Sequence, residues 1–396
     1  MAARARVVLK AGREKPVRNA HPWVFSGAID RIEGHAPNGD TIDVVDADGE
    51  FLARGLLNRQ SQIVVRLFTW TPGEDLDLAR ITARIAAADA RRQRDLPPDT
   101  TAYRAVFSES DGLPGLVVDR YGAVLVIQIS TLGLQRRKES VIAALNTVFA
   151  PTAIIERADA ETHAREGLAT TNGTLSGEPP SELEITEHGL RFAVDLVRGQ
   201  KTGFYLDQRE NRRRVAAYCA GARVLNCFAY TGGFATYAAA SGAEQVINVD
   251  SAAEALRVAE TNMTLNGFTR PKDEYLTGDV FRVLREYRER DERFDVIILD
   301  PPKFAHSADQ VQRATRGYKD INLIALQLLR PCGVLATFSC SGAISADLFQ
   351  KVVFGASIDA KRPAQIIERL TQAPDHPVLL SFPESEYLKG LICRTL

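Results

Sequence analysis

The sequence predicts an α/β protein: a parallel, doubly wound sheet in the C-terminal half, preceded by a small β-rich module and a small α+β domain. Three observations carry this reading. From about residue 198 onward, strand-like apolar runs alternate regularly with helix-like stretches, the pattern of a parallel sheet covered by helices. Before about residue 75 there are only short alternating pieces such as "DTIDVVDADGEFLARGLL", broken by Gly and Asp turns. At 396 residues the chain is too long for one compact unit.

The elements follow in order. Residues 1–75 open with Arg4, Arg6, Lys10, Arg13, Lys15 and Arg18 against the single acidic Glu14, a basic edge that fits either a solvated face or a contact surface. "GEDLDLARITARIAAADARRQRDLP" spaces its apolar residues for a helix and ends in a basic turn before Pro97 and Pro98, which stop it. Between about 103 and 197, "GLVVDRYGAVLVIQIS" and "LEITEHGLRFAVDL" read as strand–turn–strand, with "RRKESVIAALNTVF" as a helix between them. "TTNGTLSGEPPSE" is the most linker-like stretch. Beyond it, strands are predicted at 222–226, 245–249, 274–278, 294–299 and 333–339. The expected boundaries are therefore 1–75, 76–197 and 198–396.

Several classes are disfavoured. No run of eighteen apolar residues occurs and "MAARARVVLKAGREK" lacks the apolar core of a signal peptide, so a cytoplasmic protein is expected. The five cysteines, Cys219, Cys227, Cys332, Cys340 and Cys393, form no CxxC pair and no zinc spacing with histidine, so neither a disulfide framework nor a metal is expected. The formal charge of −1 says nothing about nucleic acid, because local excesses cancel in the sum.

In an open α/β sheet the ligand lies beyond the carboxyl ends of the strands, so the residues just after each strand are the informative ones. After the first predicted strand, "CFAYTGGFATYAAA" places Gly232 and Gly233 at a helix start, where the backbone turns tightly and approaches a ligand closely. After the second comes Asp250, suited to the paired hydroxyls of a ribose. After the third come Gly278 and Asp279, a carboxylate suited to an adenine amino group. There is no G-x-G-x-x-G and no Walker lysine, so a nucleoside with no phosphate to cradle fits better than a dinucleotide or triphosphate. The fourth strand, in "FDVIILDPPKF", leaves the core abruptly on Asp300 and two prolines.

"VLNCFAYTGGFATYAAASGAEQVINVD", "LDPPKF" and "FSCSG" resemble motifs of class I S-adenosylmethionine-dependent methyltransferases. With "HPWVFSGAI", "KTGFYLDQRENR", "RGYKDIN", "DHPV" and "YLKGLICR", the chain resembles nearly end to end the ribosomal RNA large subunit methyltransferase I family, which makes 5-methylcytosine in 23S rRNA. The resemblance implies a PUA domain, an RNA-binding β-barrel, at 1–75, a small middle domain, and a Rossmann-like catalytic domain with a seven-stranded, mostly parallel sheet. It adds an antiparallel C-terminal hairpin near 364–371 and 388–394. It also implies S-adenosyl-L-methionine as cofactor and 23S rRNA as partner, with no membrane; the oligomeric state is left open, a homodimer included.

On that resemblance the cofactor rests on Phe228, Thr231 and Gly232, on Asp250 at the ribose, Asp279 at the adenine and Asp300 near the methionine end, with Gln208 and Asp207 reaching the donor. Asp300, its loop held by two prolines, would face a flipped-out base; the plainer alternative is a helix N-cap. Carbon 5 of cytosine is a poor nucleophile, so its methylation needs a thiolate to add first at carbon 6. Cys340, at the end of a strand between Ser339 and Ser341, is the candidate, with Lys303 or Lys319 biasing it; the other cysteines read as small buried hydrophobes. Cys227 is a rival by position, but beside the cofactor loop. In the commoner RNA 5-methylcytosine pattern a second cysteine follows the Asp-Pro motif, and here Lys303 stands instead. RNA contacts are expected at Arg18, Lys303 and Lys319, while Arg212, Arg213 and Arg214 fit an exposed helix face and a phosphate contact equally. The competing classes are an amino-group methyltransferase acting on guanine or adenine of rRNA through Asp-Pro-Pro, and an RNA-binding scaffold without turnover.

Overall fold

The computed structural model describes residues 4–196, 202–305 and 307–396. The chain forms two compact units: Met1–Ile185 with Val194–Phe204 and Pro374–Ser385, and Thr186–Ala193 with Tyr205–Ala373 and Glu386–Leu396.

The first unit holds two sheets. Six strands pair in the order Trp23–Phe25, Ile63–Thr69, Phe51–Leu57, Thr41–Val45, Arg6–Leu9, Ile29–Glu33. Alternate residues of these strands, Val7, Leu9, Ile42, Val44, Val65 and Leu67 among them, turn inward to a common core. The predicted helix runs Leu78–Asp95, capped by the Asp77 side chain, which accepts from the Arg80 N–H at 2.8 Å. It buries Ile81, Ile85 and Ala88, one stripe at helical spacing, in the core of a five-stranded sheet. That sheet runs Asn172–Gly177, Ala153–Arg157, Val124–Ile129, Leu116–Tyr121, Ala102–Phe107. The linker-like stretch is thus corrected: Asn172–Gly177 is an edge strand, antiparallel to Ala153–Arg157. Its residues are mostly exposed, so the ladder needs only its backbone, and Gly, Ser and Thr there mimic a loop composition.

A two-stranded hairpin, Leu183–Glu187 and Leu190–Val194, turns through His188 and Gly189 at φ +50° and +79°. Two successive left-handed residues match the right-handed twist of the strands, the usual geometry of a tight hairpin.

The second unit is built on seven strands: β1 Arg223–Cys227, β2 Gln245–Asp250, β3 Tyr275–Thr277, β4 Phe294–Leu299, β5 Leu329–Ser339, β6 Ala364–Thr371 and β7 Lys389–Thr395. Their order is β3-β2-β1-β4-β5-β7-β6. β1 to β5 pair in parallel, and β7 is antiparallel to both β5 and β6. The helices are α1 Arg209–Ala216, α2 Gly233–Ala240, α3 Ala253–Leu265, α4 Val280–Glu289, α5 Val311–Leu328 and α6 Ala346–Ala360. β4 shows why its sequence is continuously apolar. Val296 and Ile298 pack with α1 and α2 on one face, Ile297 and Leu299 with α4 and α5 on the other, so the run from Val296 to Leu299 is buried on both faces. The order reverses between β2 and β4 on either side of β1, which opens the binding crevice beyond the carboxyl ends of β1 and β4.

Candidate active site

After β1 the chain turns through a strained loop. Phe228 and Tyr230 take φ of +59° and +46°, and Gly232 takes +75°. Left-handed backbone at a bulky residue costs on the order of 1–3 kcal/mol and persists where surrounding bonds over-determine it. Those bonds are present. The Asp250 carboxylate, at the end of β2, accepts from the Tyr230 N–H and the Ala252 N–H, both at 2.9 Å. The Ala229 N–H donates to Val249 O at 3.0 Å, and Asn262 Nδ2 donates to Thr231 O at 2.9 Å. A Cβ on Gly232 would lie 2.8 Å from Ala259 Cβ, so only glycine lets α2 start against α3.

Asp279 follows β3 at the surface and accepts from the Arg282 N–H at 3.0 Å, capping α4. Asp300 follows β4, and its Oδ1 accepts from Gln208 Nε2 at 2.9 Å; Gln208 is buried and its Oε1 accepts from Asn211 at 2.6 Å. Lys303 is exposed, whereas Phe304 turns inward, its ring 4.6 Å from that of Tyr318 and 6.0 Å from that of Phe281.

The end of β5 meets this loop. Cys340 Sγ lies 4.0 Å from Pro301 O, and the Ala305 N–H donates to Ser341 Oγ at 3.3 Å. The Tyr318 hydroxyl bonds both flanking serines, Ser339 Oγ at 3.0 Å and Ser341 Oγ at 3.2 Å. Cys340 is half-buried, whereas Cys219, Cys227 and Cys393 are buried, and burial pushes the thiols of Cys219 and Cys393 up to about 12 and about 11. Cys332 differs from the expected buried hydrophobe: it is exposed, at φ +60° in the irregular start of β5.

The structure thus brings Gln208 to Asp300, Cys340 to Pro301, and Asp250 to the Phe228–Gly232 loop. Lys319 is engaged elsewhere, at 2.7 Å from Asp359 on α6. Arg18, in the first unit, is exposed and lies 2.5 Å from Asp46. The arginine run on α1 divides. Arg212 is buried and binds both oxygens of Glu187 at 2.8 Å, while Arg213 and Arg214 are exposed. Sequence reasoning missed Tyr205, Tyr318 and Lys389. Burial, then the nearby Asp300 and Asp207, pushes the Tyr205 hydroxyl far above the usual phenol range. Lys389 is buried at the start of β7, and its Nζ donates to Ser341 O at 2.7 Å and Ile344 O at 2.6 Å. The signal for it was present: an isolated lysine opening the apolar strand "KGLICRT".

A strained glycine loop before α2, carboxylates at the ends of β2, β3 and β4, and this strand order define a nucleoside-binding crevice. Residues 133–393 match the model of the S-adenosylmethionine-dependent methyltransferases and residues 7–70 that of a PUA-like domain. The fold recurs in a candidate SAM-dependent methyltransferase from Streptococcus mutans, with TM-score 0.84 and 21% identity over 98% of this chain and 99% of that one. It recurs also in a candidate methyltransferase solved with SAH, with TM-score 0.85 and 22% identity over 98% and 99%. The chain is a class I methyltransferase that uses S-adenosylmethionine. More narrowly, it belongs to the ribosomal RNA large subunit methyltransferase I family. It is 48% identical to members from Salmonella newport (strain SL254) and Escherichia coli (strain SMS-3-5 / SECEC), over 99% of this chain and 98% and 99% of theirs.

The crevice fits that cofactor on one further observation: Thr231 Oγ1 is buried in the loop without a hydrogen-bond partner among the described residues. A buried hydroxyl without a partner is costly. Among the described residues no cluster of three His, Cys, Asp or Glu could hold a metal ion, and no helix is long and apolar enough to cross a membrane.

Proposed function

We propose that the chain methylates carbon 5 of a cytosine in 23S ribosomal RNA through a covalent adduct with Cys340. The observation that carries this is the half-exposed Cys340 sulfur, 4.0 Å from Pro301 O, at the point where β4 and β5 deliver their loops together. S-adenosylmethionine supplies an electrophilic methyl group. The Cys340 thiolate would add to carbon 6 of the ring, and the displaced π electrons would make carbon 5 nucleophilic enough to take the methyl group as its bond to the donor sulfur breaks, leaving S-adenosylhomocysteine. Loss of the carbon-5 proton to a base then restores the double bond and expels the thiolate.

In this reading Phe228, Thr231, Gly232, Asp250 and Asp279 bind the cofactor. Asp300, oriented by Gln208, stands between donor and base. Residues 1–75, 76–197 and 198–396 act as an RNA-binding module, a middle domain and the catalytic domain. Lys303, which is exposed, serves as a phosphate contact; Arg18 and Lys319, already paired with Asp46 and Asp359, contribute less. The named activity of the 48%-identical relatives supports an rRNA substrate. An amino-group mechanism would use an aromatic side chain after Asp-Pro-Pro to stack the base. Here that position is Lys303, and Phe304 packs against Tyr318 and Phe281.

The test is mass spectrometry of rRNA nucleosides after reaction with the native chain and with Cys340→Ala. We expect 5-methylcytosine from the first and none from the second, with cofactor affinity retained. Full methylation by Cys340→Ala, or a methylated amino group as product, would overturn the mechanism.

A further inference from the structure

Lys389 opens β7 directly opposite Ser339, the last residue of β5, so the antiparallel pairing of these strands sets it at the edge of the sheet from which Cys340 emerges. It is 7% exposed. A buried ammonium is costly unless something compensates its charge. No carboxylate forms an ion pair with it among the described residues. Its two hydrogen bonds go to neutral acceptors, the carbonyls of Ser341 and Ile344 in the loop that follows Cys340. An ammonium has three N–H donors, and these bonds use two. Burial lowers Lys389 to about 8, Cys340 and Glu386 favour its charged form, and Lys303 opposes it. The phenols of Tyr205 and Tyr318 also border Cys340.

We infer that Lys389 is the positioning residue that readies Cys340 for attack: its ammonium, tied to the two carbonyls beyond the cysteine, is the fixed positive charge that stabilises the anionic sulfur. The thiol proton leaves to solvent, and the charge pair that remains satisfies the lysine and the thiolate together. A loop-fastening lysine alone would need only the two carbonyls. Here the charge also lies beside the one half-buried cysteine of the five, which gives the burial of Lys389 a chemical reason. Above pH 8 the lysine loses its proton and this support weakens, so the two groups titrate as a pair.

The inference rests on the reading of Cys340 as nucleophile, and its test does not depend on methylation. The rate of alkylation of Cys340 by iodoacetamide is followed by peptide mass spectrometry from about pH 6 to 10, in the full chain. In Lys389→Met the midpoint should rise by about one unit or more, slowing alkylation near neutral pH about tenfold. Lys389→Arg should recover most of that shift, and S-adenosylmethionine affinity should hold in both. An unshifted midpoint in a Lys389→Met protein that still binds cofactor overturns the role of Lys389 and leaves the covalent reading standing. Should that variant fail to fold, the native chain decides: a Cys340 midpoint at or above the ordinary thiol value of about 8.5 overturns the inference. Methylation by Cys340→Ala would instead sink the covalent reading and leave this titration as measured.

Discussion

Replacing Arg212 by methionine separates a structural arginine from an RNA-binding one. Arg212 and Glu187 are 3% and 1% exposed. Two bonds of 2.8 Å join them, and Arg212 also donates to Tyr205 O at 3.0 Å. Removing one partner of a buried ion pair leaves an uncompensated charge and costs about 3–5 kcal/mol. Only the Tyr237 hydroxyl bond at 3.1 Å would still serve the Glu187 side chain among those described. Glu187→Gln in the Arg212→Met background should relieve much of the loss. Both tryptophans, Trp23 and Trp70, lie in the first unit, so fluorescence would report the wrong part of the chain. Hydrogen exchange in α2, which packs against the Arg212 side chain at Gly233, reads the second unit directly. Protection there should fall by roughly two to four powers of ten. A loss under about 1 kcal/mol, or one that Glu187→Gln does not relieve, would refute the argument.

Gly232→Ala should weaken cofactor binding and stability together, since it adds left-handed strain of about 1–2 kcal/mol and an overpacking cost of about 1–3 kcal/mol. Gly242→Ala, at φ +85° with nothing within 4 Å of the added Cβ, carries the strain alone, so calorimetric cofactor titration of both variants isolates the steric part. Phe25 is 46% exposed and borders, with Arg13 and Trp23, a recess of about 200 Å³ in the first unit. Phe25→Ala should lower affinity for single-stranded RNA by the worth of one stacked base, about 1–3 kcal/mol, in a filter-binding assay while cofactor affinity holds. Equal RNA affinity would show that the ring stacks on nothing.

The parallel part of the second unit's sheet was legible because each of β1 to β5 carries its own signal, whereas the hairpin of β6 and β7 came only from the resemblance to the family. β4 declares itself by an uninterrupted apolar run, and β2, drawn at 245–249, runs Gln245–Asp250 and ends on its carboxylate. What escaped depends on contacts distant in sequence. Lys389 reaches Ser341 across 48 positions, and nothing in "YLKGLICR" indicates that its neighbour is the loop after Cys340. Arg212 looks like its two exposed neighbours until the hairpin at Glu187 folds over it. Asn172–Gly177 looked like a linker because an edge strand is held by its backbone and makes few demands on its side chains.

The carboxylates at the strand ends already hold protein groups, and this affects how any substitution there is read. Asp250 holds the Tyr230 and Ala252 N–H groups, Asp279 caps α4, and Asp300 receives Gln208. Each is therefore committed to the protein before a ligand arrives. Because a carboxylate has about four acceptor sites, Asp250 and Asp279 can still receive a further donor. Replacing Asp250 by alanine would release a loop that holds two non-glycine residues at positive φ, so a loss of cofactor affinity would combine a lost contact with a relaxed loop. Cys340→Ala disturbs less, since the contact of its sulfur with Pro301 O is long, at 4.0 Å. That asymmetry makes the cysteine the better probe of chemistry and the aspartates better probes of preorganisation.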